Sequence, residues 1–464
     1  MDIEMENKNE SLTYTKKSAF DLWDSEKLAA AMNYSAGYMK AVDRAKTERE
    51  AVEWTKEFLA ANGYAPYRLG DKIKKGGKYF LDNRKKSLIA FSVGNENISE
   101  GVRIIAAHID SPRLDLKQHP LFEDGGCAYL KTHYYGGLRK YQWATIPLAL
   151  HGVIIRADGT SVNVKLGDEP GDPVFCISDL LPHLAKEQNE KKLSQAFTGE
   201  GLNVLISQTP AEGAENEAVK EKAIALLNEK YGICEEDFIS AELCLVPAQN
   251  AVDVGLDRSV IGAYGHDDFV CAYPALTAML ESKGEHTVIT VLADKEETGS
   301  DGNTGMQCRI LVDLIDELAS AFEANPNVVR ANSMCISADV HSAFDSNYPD
   351  VFEKRNSAIM ACGITMSKYT GSGGKYSTND ASAEYVGYIR SLFAKHGVLW
   401  QTAELGKVDA GGGGTVALYI ANMDVDTIDV GVPVMSMHAP MEVVAKIDVY
   451  MAYKAFLAFI SDKT

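Results

Sequence analysis

Apolar side chains recur at intervals of three and four along "SEKLAAAMNYSAGYMKAV" (25–42) and "TEREAVEWTKEFLAANG" (47–63). This spacing predicts two helices, the second ending on a glycine suited to a left-handed cap. The texture then shortens. "KSLIAFSVG" (86–94) and "GVRIIAAHID" (101–110) are apolar runs rich in β-formers and bounded by turn residues, the pattern of buried strands in an α/β sheet. From about 115 to 250 turn formers multiply. "ATIPLALHGVIIRADGTSVNVKLGDEPGDPVFCISDLL" (144–181) puts strand-like runs on both sides of Asp158 and Gly159, a strong hairpin signal. "AENEAVKEKAIALLNEKYG" (214–232) predicts an amphipathic helix, and "ISAELCLVPAQN" (239–250) a further strand. After 250 helices and strands alternate again. Helices are predicted in "DDFVCAYPALTAMLESKG" (267–284), "CRILVDLIDELASAFEAN" (308–325) and "MEVVAKIDVYMAYKAFLAFI" (441–460). Strands are predicted in "HTVITVLAD" (286–294), "SMCISADVH" (333–341) and "TIDVGVPVMSMH" (427–438).

The pattern therefore predicts an α/β body, a mixed sheet flanked by helices, made from residues 1–114 and 251–464. A largely β domain, 115–250, interrupts it. With 464 residues, 46% of them hydrophobic, the chain can bury more than one core. Its net charge of −19, without a basic cluster, argues against nucleic acid or an anionic membrane as partner. The polar start "MDIEMENKNESLTYTKKSAFDLW" lacks the apolar core of a secretory signal, and no later segment has the length to span a bilayer. A cytoplasmic location is expected. The eight cysteines form no Cys-x-x-Cys pair, so any metal must use His, Asp or Glu.

Those residue types gather at strand ends. "RIIAAHID" ends in His108 and Asp110, "VITVLADKEE" in Glu296 and Glu297, "MCISADVH" in Asp339 and His341, and "VPVMSMHAP" in His438. Ligands of open α/β sheets bind outside the carboxyl ends of the strands, so these side chains would converge on one crevice. Taken alone, the adjacent glutamates of "DKEETGS" read first as a solvated loop. Taken with the other strand ends they form a divalent-metal set, in which cations make neighbouring carboxylates tolerable. "YGHDDFVCAYPAL" supplies Asp267 and Asp268 as candidates to bridge two ions.

"AAHIDSPRLDLK", "GHDDFVCAYPAL", "DKEETGS", "SADVHSAFDSNYPD", "KYSTNDASAEYV" and "SMHAPMEVV", in this order and spacing, resemble the aspartyl aminopeptidase family of di-zinc exopeptidases. The resemblance covers nearly the whole chain. It implies that His108 and Asp339 hold one ion, Glu297 and His438 the other, and that Asp267 bridges them. It implies that Asp110 orients the His108 ring and that Glu296 is the general base. The ions would be zinc, with cobalt and manganese also accepted by these ligands. The substrates would be peptides with a free N-terminus. The insert would make subunit contacts in a tetrahedral twelve-subunit shell, and His133 in "KTHYYGGLRKYQW" would reach a neighbouring active site.

The sequence departs from the family pattern in two places. Two glycines precede Lys375 where a basic side chain would select acidic N-terminal residues, and His341 follows Asp339 by two positions where relatives often have three. Both remain candidate substrate contacts. "DAGGGGTVAL" (409–418) lacks the Lys-Ser/Thr of a phosphate loop and reads either as backbone approaching substrate or as plain surface. Two alternatives to an aminopeptidase stand beside it. One is an amidohydrolase or carboxypeptidase of similar architecture, which would act on N-blocked substrates; the other is a non-catalytic shell protein, which would show no turnover.

Overall fold

The computed structural model describes residues 12–462. Its centre is a nine-stranded sheet in the order Ala65–Pro66, Lys78–Asn83, Ser87–Ser92, Val288–Ala293, Arg103–His108, Met334–Ser337, Asp426–Gly431, Ile364–Ser367, Trp400–Thr402. Four neighbours in the middle, Val288–Ala293 through Asp426–Gly431, run parallel. Their carboxyl ends therefore open on one edge, which is where His108, Glu296, Glu297 and Asp339 leave the sheet.

Ser87–Ser92, Arg103–His108 and Val288–Ala293 are buried at every residue, because both faces are covered. Ile105, Ala107 and Leu292 pack on one side with the helices Ser25–Val42, Glu48–Ala61, His266–Leu280 and Lys446–Ser461. Ile104, Ala106 and Val291 pack on the other with Ile310–Ala321. The two predicted N-terminal helices start at side-chain caps: Asp24 accepts from Lys27 N at 2.9 Å and Thr47 from Glu50 N at 3.3 Å. Gly63, just past the second, has φ +83°, as its predicted cap requires.

Three predicted elements are redrawn by the structure. "TIDVGVPVMSMH" divides into Asp426–Gly431, in the central sheet, and Pro433–Met435, in a separate five-stranded sheet. Pro433 has no N–H to continue a ladder, and a Cβ on Gly431 would lie 1.5 Å from the Asp339 carbonyl, so the crossing needs glycine. "SMCISADVH" divides likewise, leaving Asp339 in the crossover between Met334–Ser337 and His341–Ser342. The closing segment starts as a strand, Glu442–Ala445, antiparallel to Val260–Ala263, and becomes helical at Lys446. Val443 and Val444 are β-branched and fit that pairing.

Residues between Arg113 and Pro247 build a second, six-stranded sheet in which every pairing is antiparallel. The hairpin around Asp158 and Gly159 pairs Ile155 with Ser161 and Leu150 with Leu166. The helix Ala218–Tyr231 adds Val219, Ala223 and Leu227 to a core of its own with Leu114, Leu130 and Trp143. No helix among the described residues is long and apolar enough to cross a membrane.

Candidate active site

The adjacent glutamates sit on a turn that Asp110 organises. Lys295 has φ +65° and leads into a single helical turn, Glu296–Thr298. The Glu296 amide donates to Asp110 Oδ1 at 3.1 Å and the Glu297 amide to Asp110 Oδ2 at 3.2 Å. Asp110 Oδ1 also lies 3.4 Å from His108 Nδ1. One buried carboxylate thus fixes the turn and the ring together, and the two glutamate side chains are free to take different directions.

Both histidines have their ring orientation set by a carbonyl. His108 Nδ1 donates to the Asp110 carbonyl at 3.0 Å and His438 Nδ1 to the Gly137 carbonyl at 2.8 Å. In the neutral rings this leaves both Nε2 atoms with a lone pair. His108 Nε2 is 3.0 Å from Asp267 Oδ1, while His438 Nε2 is 3.2 Å from Asp267 Oδ2 and 3.5 Å from Glu297 Oε1. Lone-pair nitrogens facing carboxylate oxygens are held together only when a proton or a cation lies between them.

The charge balance has the same cause. Burial opposes the His438 charge, but Asp267 and Glu297 outweigh it and lift the ring to about 10. His108 is likewise raised, with Asp110 and Asp267 overcoming burial. Burial pushes Asp267 up, and the two histidines outweigh it and hold the carboxyl below its ordinary value. Glu297 and Asp339 are driven well up, first by burial and then by neighbouring carboxylates. Burial lifts Glu296 to about 7 against the opposing pull of His108.

A divalent cation fits this donor set. Asp267 Oδ1 and Glu297 Oε1 are buried without a hydrogen-bond partner. His108, Asp267 and Glu297 bring ligand atoms within 4.8 Å of one another, and so do His108, Asp268 and Asp339. Asp268 thus stands beside Asp339, and its Oδ2 accepts from the His108 amide at 3.4 Å.

Two supporting residues were not in the predicted set. Glu442 accepts from the Asp267 amide at 3.0 Å and from the His438 amide at 2.7 Å, tying the two segments together. Its signal, a carboxylate four residues after His438, was masked by reading "MEVV" as helix. The other, Tyr135, donates its hydroxyl to Asp110 Oδ2 at 2.8 Å.

Of the remaining predicted contacts, His341 lies against the Asp339 backbone, while Lys375 and His133 make their contacts elsewhere. His341 is buried on its short strand, where burial lowers it to about 4. Lys375 is exposed, donates to Asp380 at 2.9 Å and lies 3.7 Å from the Tyr369 ring centroid. His133 is exposed and bonds the Tyr134 carbonyl at 2.9 Å. The glycine run 411–414 packs on neighbouring backbone: a Cβ on Gly412, φ +113°, would lie 2.3 Å from the Gly371 carbonyl. Thr415 then anchors the run to Asp429 at 2.8 Å.

Known proteins share both sequence and fold. A "Probable M18 family aminopeptidase 1" of Clostridium acetobutylicum is 47% identical over 96% of this chain and 98% of its own. The crystal structure of an M18 family aminopeptidase from Thermotoga maritima superposes with TM-score 0.93 at 42% identity, covering 97% of this chain and all of that one. That of aminopeptidase I from Clostridium acetobutylicum gives 0.91 at 44%, with coverage of 97% and 100%. The family model "Aminopeptidase I zinc metalloprotease (M18)" matches residues 41–460. The chain therefore belongs to the M18 family of zinc metalloproteases and is a metal-dependent aminopeptidase.

Proposed function

We propose that His108 and Asp339 hold one zinc ion, that Glu297 and His438 hold a second with Asp267 between them, and that Glu296 moves the proton during hydrolysis of the first peptide bond. The observation that carries this reading is the bidentate reach of Asp267, one oxygen to each histidine Nε2. Asp268 joins the Asp339 side of the pair. Bound zinc would supply an acidified water and an electrophile for the substrate carbonyl. Glu296, set near neutrality by burial, can accept a proton and return it to the leaving amine. Asp110 holds the Glu296 amide and the His108 ring together, so the base and one ligand share an anchor.

A free α-amino group fits a pocket rich in carboxylates and confines cleavage to the terminal residue. His341 and Lys375 are candidate contacts for the substrate backbone and for an acidic N-terminal side chain. His133, exposed at the edge of the insert, is the candidate for a contact across subunits. We assign the 115–250 insert to assembly of a tetrahedral dodecamer, which the exposed Leu180, Leu181 and Leu184 support by offering an apolar face. The negative charge fits a cytoplasmic enzyme without nucleic-acid or membrane partners.

The test is a panel of aminoacyl amides assayed on chelated protein with zinc, cobalt or manganese restored. Turnover on free-amino substrates, absent from their N-blocked counterparts, is expected. Turnover confined to N-blocked substrates would replace this reading with an amidohydrolase.

A further inference from the structure

Residues 135–137 belong to the insert by connectivity and to the active site by contact. The chain leaves His108 and Asp110, enters the long insert strand Arg113–Asp124, and returns along Cys127–Tyr135, where Tyr135 pairs with Arg113. The returning strand ends against the two halves of the site. Tyr135 Oη donates to Asp110 Oδ2 at 2.8 Å, the carboxylate that receives the Glu296 and Glu297 amides and faces the His108 ring. Two residues on, the Gly137 carbonyl accepts from His438 Nδ1 at 2.8 Å.

We propose that this strand end is a clamp supplied by the insert: Tyr135 and Gly137 set the orientation of the two histidines, so that metal affinity depends on how the insert is seated on the body. The inference rests on His108 and His438 being ligands. Its physical basis is that a ligand's free ring N–H must be fixed for its other nitrogen to aim, and that loss of such a partner costs about 10–100-fold in metal affinity or activity.

The surroundings of the clamp are closely packed in two respects. The Arg113 guanidinium lies 4.2 Å from the Tyr135 ring centroid and is itself held by Glu48 and Asp115, each at 2.8 Å. The two glycines leave no slack: a Cβ on Gly136 would lie 3.2 Å from Glu297 Cβ, and one on Gly137 3.3 Å from His438 Nδ1. Tyr135 and Gly137 act as positioning residues, since each works through another side chain.

The test uses two substitutions in the full-length assembled protein. Tyr135→Phe keeps the ring beside Arg113 and removes only the hydroxyl. Gly137→Ala, at a position outside the left-handed region, pushes a methyl against His438 while keeping the backbone carbonyl. Zinc affinity is read by competition with a chelator of known strength, beside circular dichroism and light scattering. Each variant is expected to keep wild-type secondary structure and particle mass while binding zinc about 10-fold more weakly, the lower end of that range, because the ring N–H partners, the Asp110 and Gly137 carbonyls, stay in place. At saturating zinc, kcat is expected to fall and KM to stay, the split of residues that act through other side chains. Variants that hold zinc within about twofold of wild type would overturn the clamp while leaving the ligand assignment intact. A wild-type protein that binds no zinc would remove both. If Gly137→Ala fails to fold, Tyr135→Phe alone decides.

Discussion

The body and the insert bury their strands in different ways. Arg103–His108 and Val288–Ala293 are buried at every position, flanked by helices on both faces. In the insert Ser161–Leu166 and Cys127–Tyr135 alternate between buried and accessible positions, whereas Leu148–Ile155 and Ala241–Pro247, nearer the middle of that sheet, are buried at most positions. The parallel body strands deliver their ends, and the metal-ligand candidates with them, to one edge. The antiparallel insert exposes Val174, Leu180, Leu181, Leu184 and Leu226, and the body exposes Leu256, Val351 and Val408 as well. The difference bears on the proposed division of labour, with the chemistry at the ends of the parallel strands and assembly assigned to the insert, whose segment 135–137 reaches the site.

The comparison breaks most sharply at the ligands. His108→Ala and His438→Ala should each lose bound metal and, with it, activity, because neither supporting carbonyls nor carboxylates behind the ring can replace a ligand. Metal analysis after dialysis checks this. Full occupancy in both variants would make these histidines ordinary strand-end residues.

Next in size is Glu296→Gln, which should keep both ions and lose roughly 10²- to 10⁴-fold in kcat, the range of general acid–base catalysis. Glu297→Gln should lose metal as well as rate. Metal loss in the Glu296 variant alone would exchange their roles.

A smaller, pH-dependent effect sharpens the contrast between the metal-free and loaded body. Burial lifts Glu442 to about 8 and Glu296 to about 7, and the carboxylates lift His438 to about 10 against its burial. All three bind protons more tightly when folded than when unfolded. Their contribution to stability is thus full below the unfolded values, near 4.5 for the acids and 6.5 for the imidazole, and is lost as pH rises through the folded values. The metal-free protein should melt at progressively lower temperature from about pH 6.5 to 10. Added zinc should raise Tm by more at the upper end of that range, because His438, the one proposed ligand among the three, must shed its proton to bind it. Thermal melts of chelated protein with and without zinc measure both; a zinc increment that shrinks with pH would contradict the proposed ligand set.

Substitutions on the insert's exposed face test the other half of the comparison. Light scattering should show wild-type particles many times the 50.5 kDa of one chain, and Leu180→Asp combined with Leu184→Asp should reduce that mass. Metal content per chain should not change. A 50.5 kDa wild-type particle would end the assembly role of this face.

The smallest effect belongs to Lys375→Ala. Lys375 is exposed and already paired with Asp380, so KM for an acidic N-terminal residue should rise by about fivefold or less, the worth of an exposed ion pair. No change, measured against a neutral N-terminal residue, would remove Lys375 from substrate selection.

Periodicity and strand-end chemistry made the buried strands, their flanking helices and a candidate set of His108, Asp110, Glu296, Glu297, Asp339, His341 and His438, with Asp267 or Asp268 as bridge, readable from the chain itself, and the family resemblance chose among them. The reason is local: a strand covered on both faces must be apolar throughout, and the polar residue that ends it is conspicuous. Glu442 and Tyr135 could not be read this way. Each acts through a contact with a segment distant in sequence, Glu442 with the Asp267 amide 175 residues away and Tyr135 with Asp110 across a hairpin. The split of "TIDVGVPVMSMH" between two sheets was partly hidden: Pro433 is visible in the chain, but the Asp339 carbonyl pressed against Gly431 is not. Sequence determined which residues are the candidates for the chemistry; the tertiary structure decided which backbone amides, carbonyls and hydroxyls hold them, since those groups carry no side-chain pattern from which pairing can be inferred.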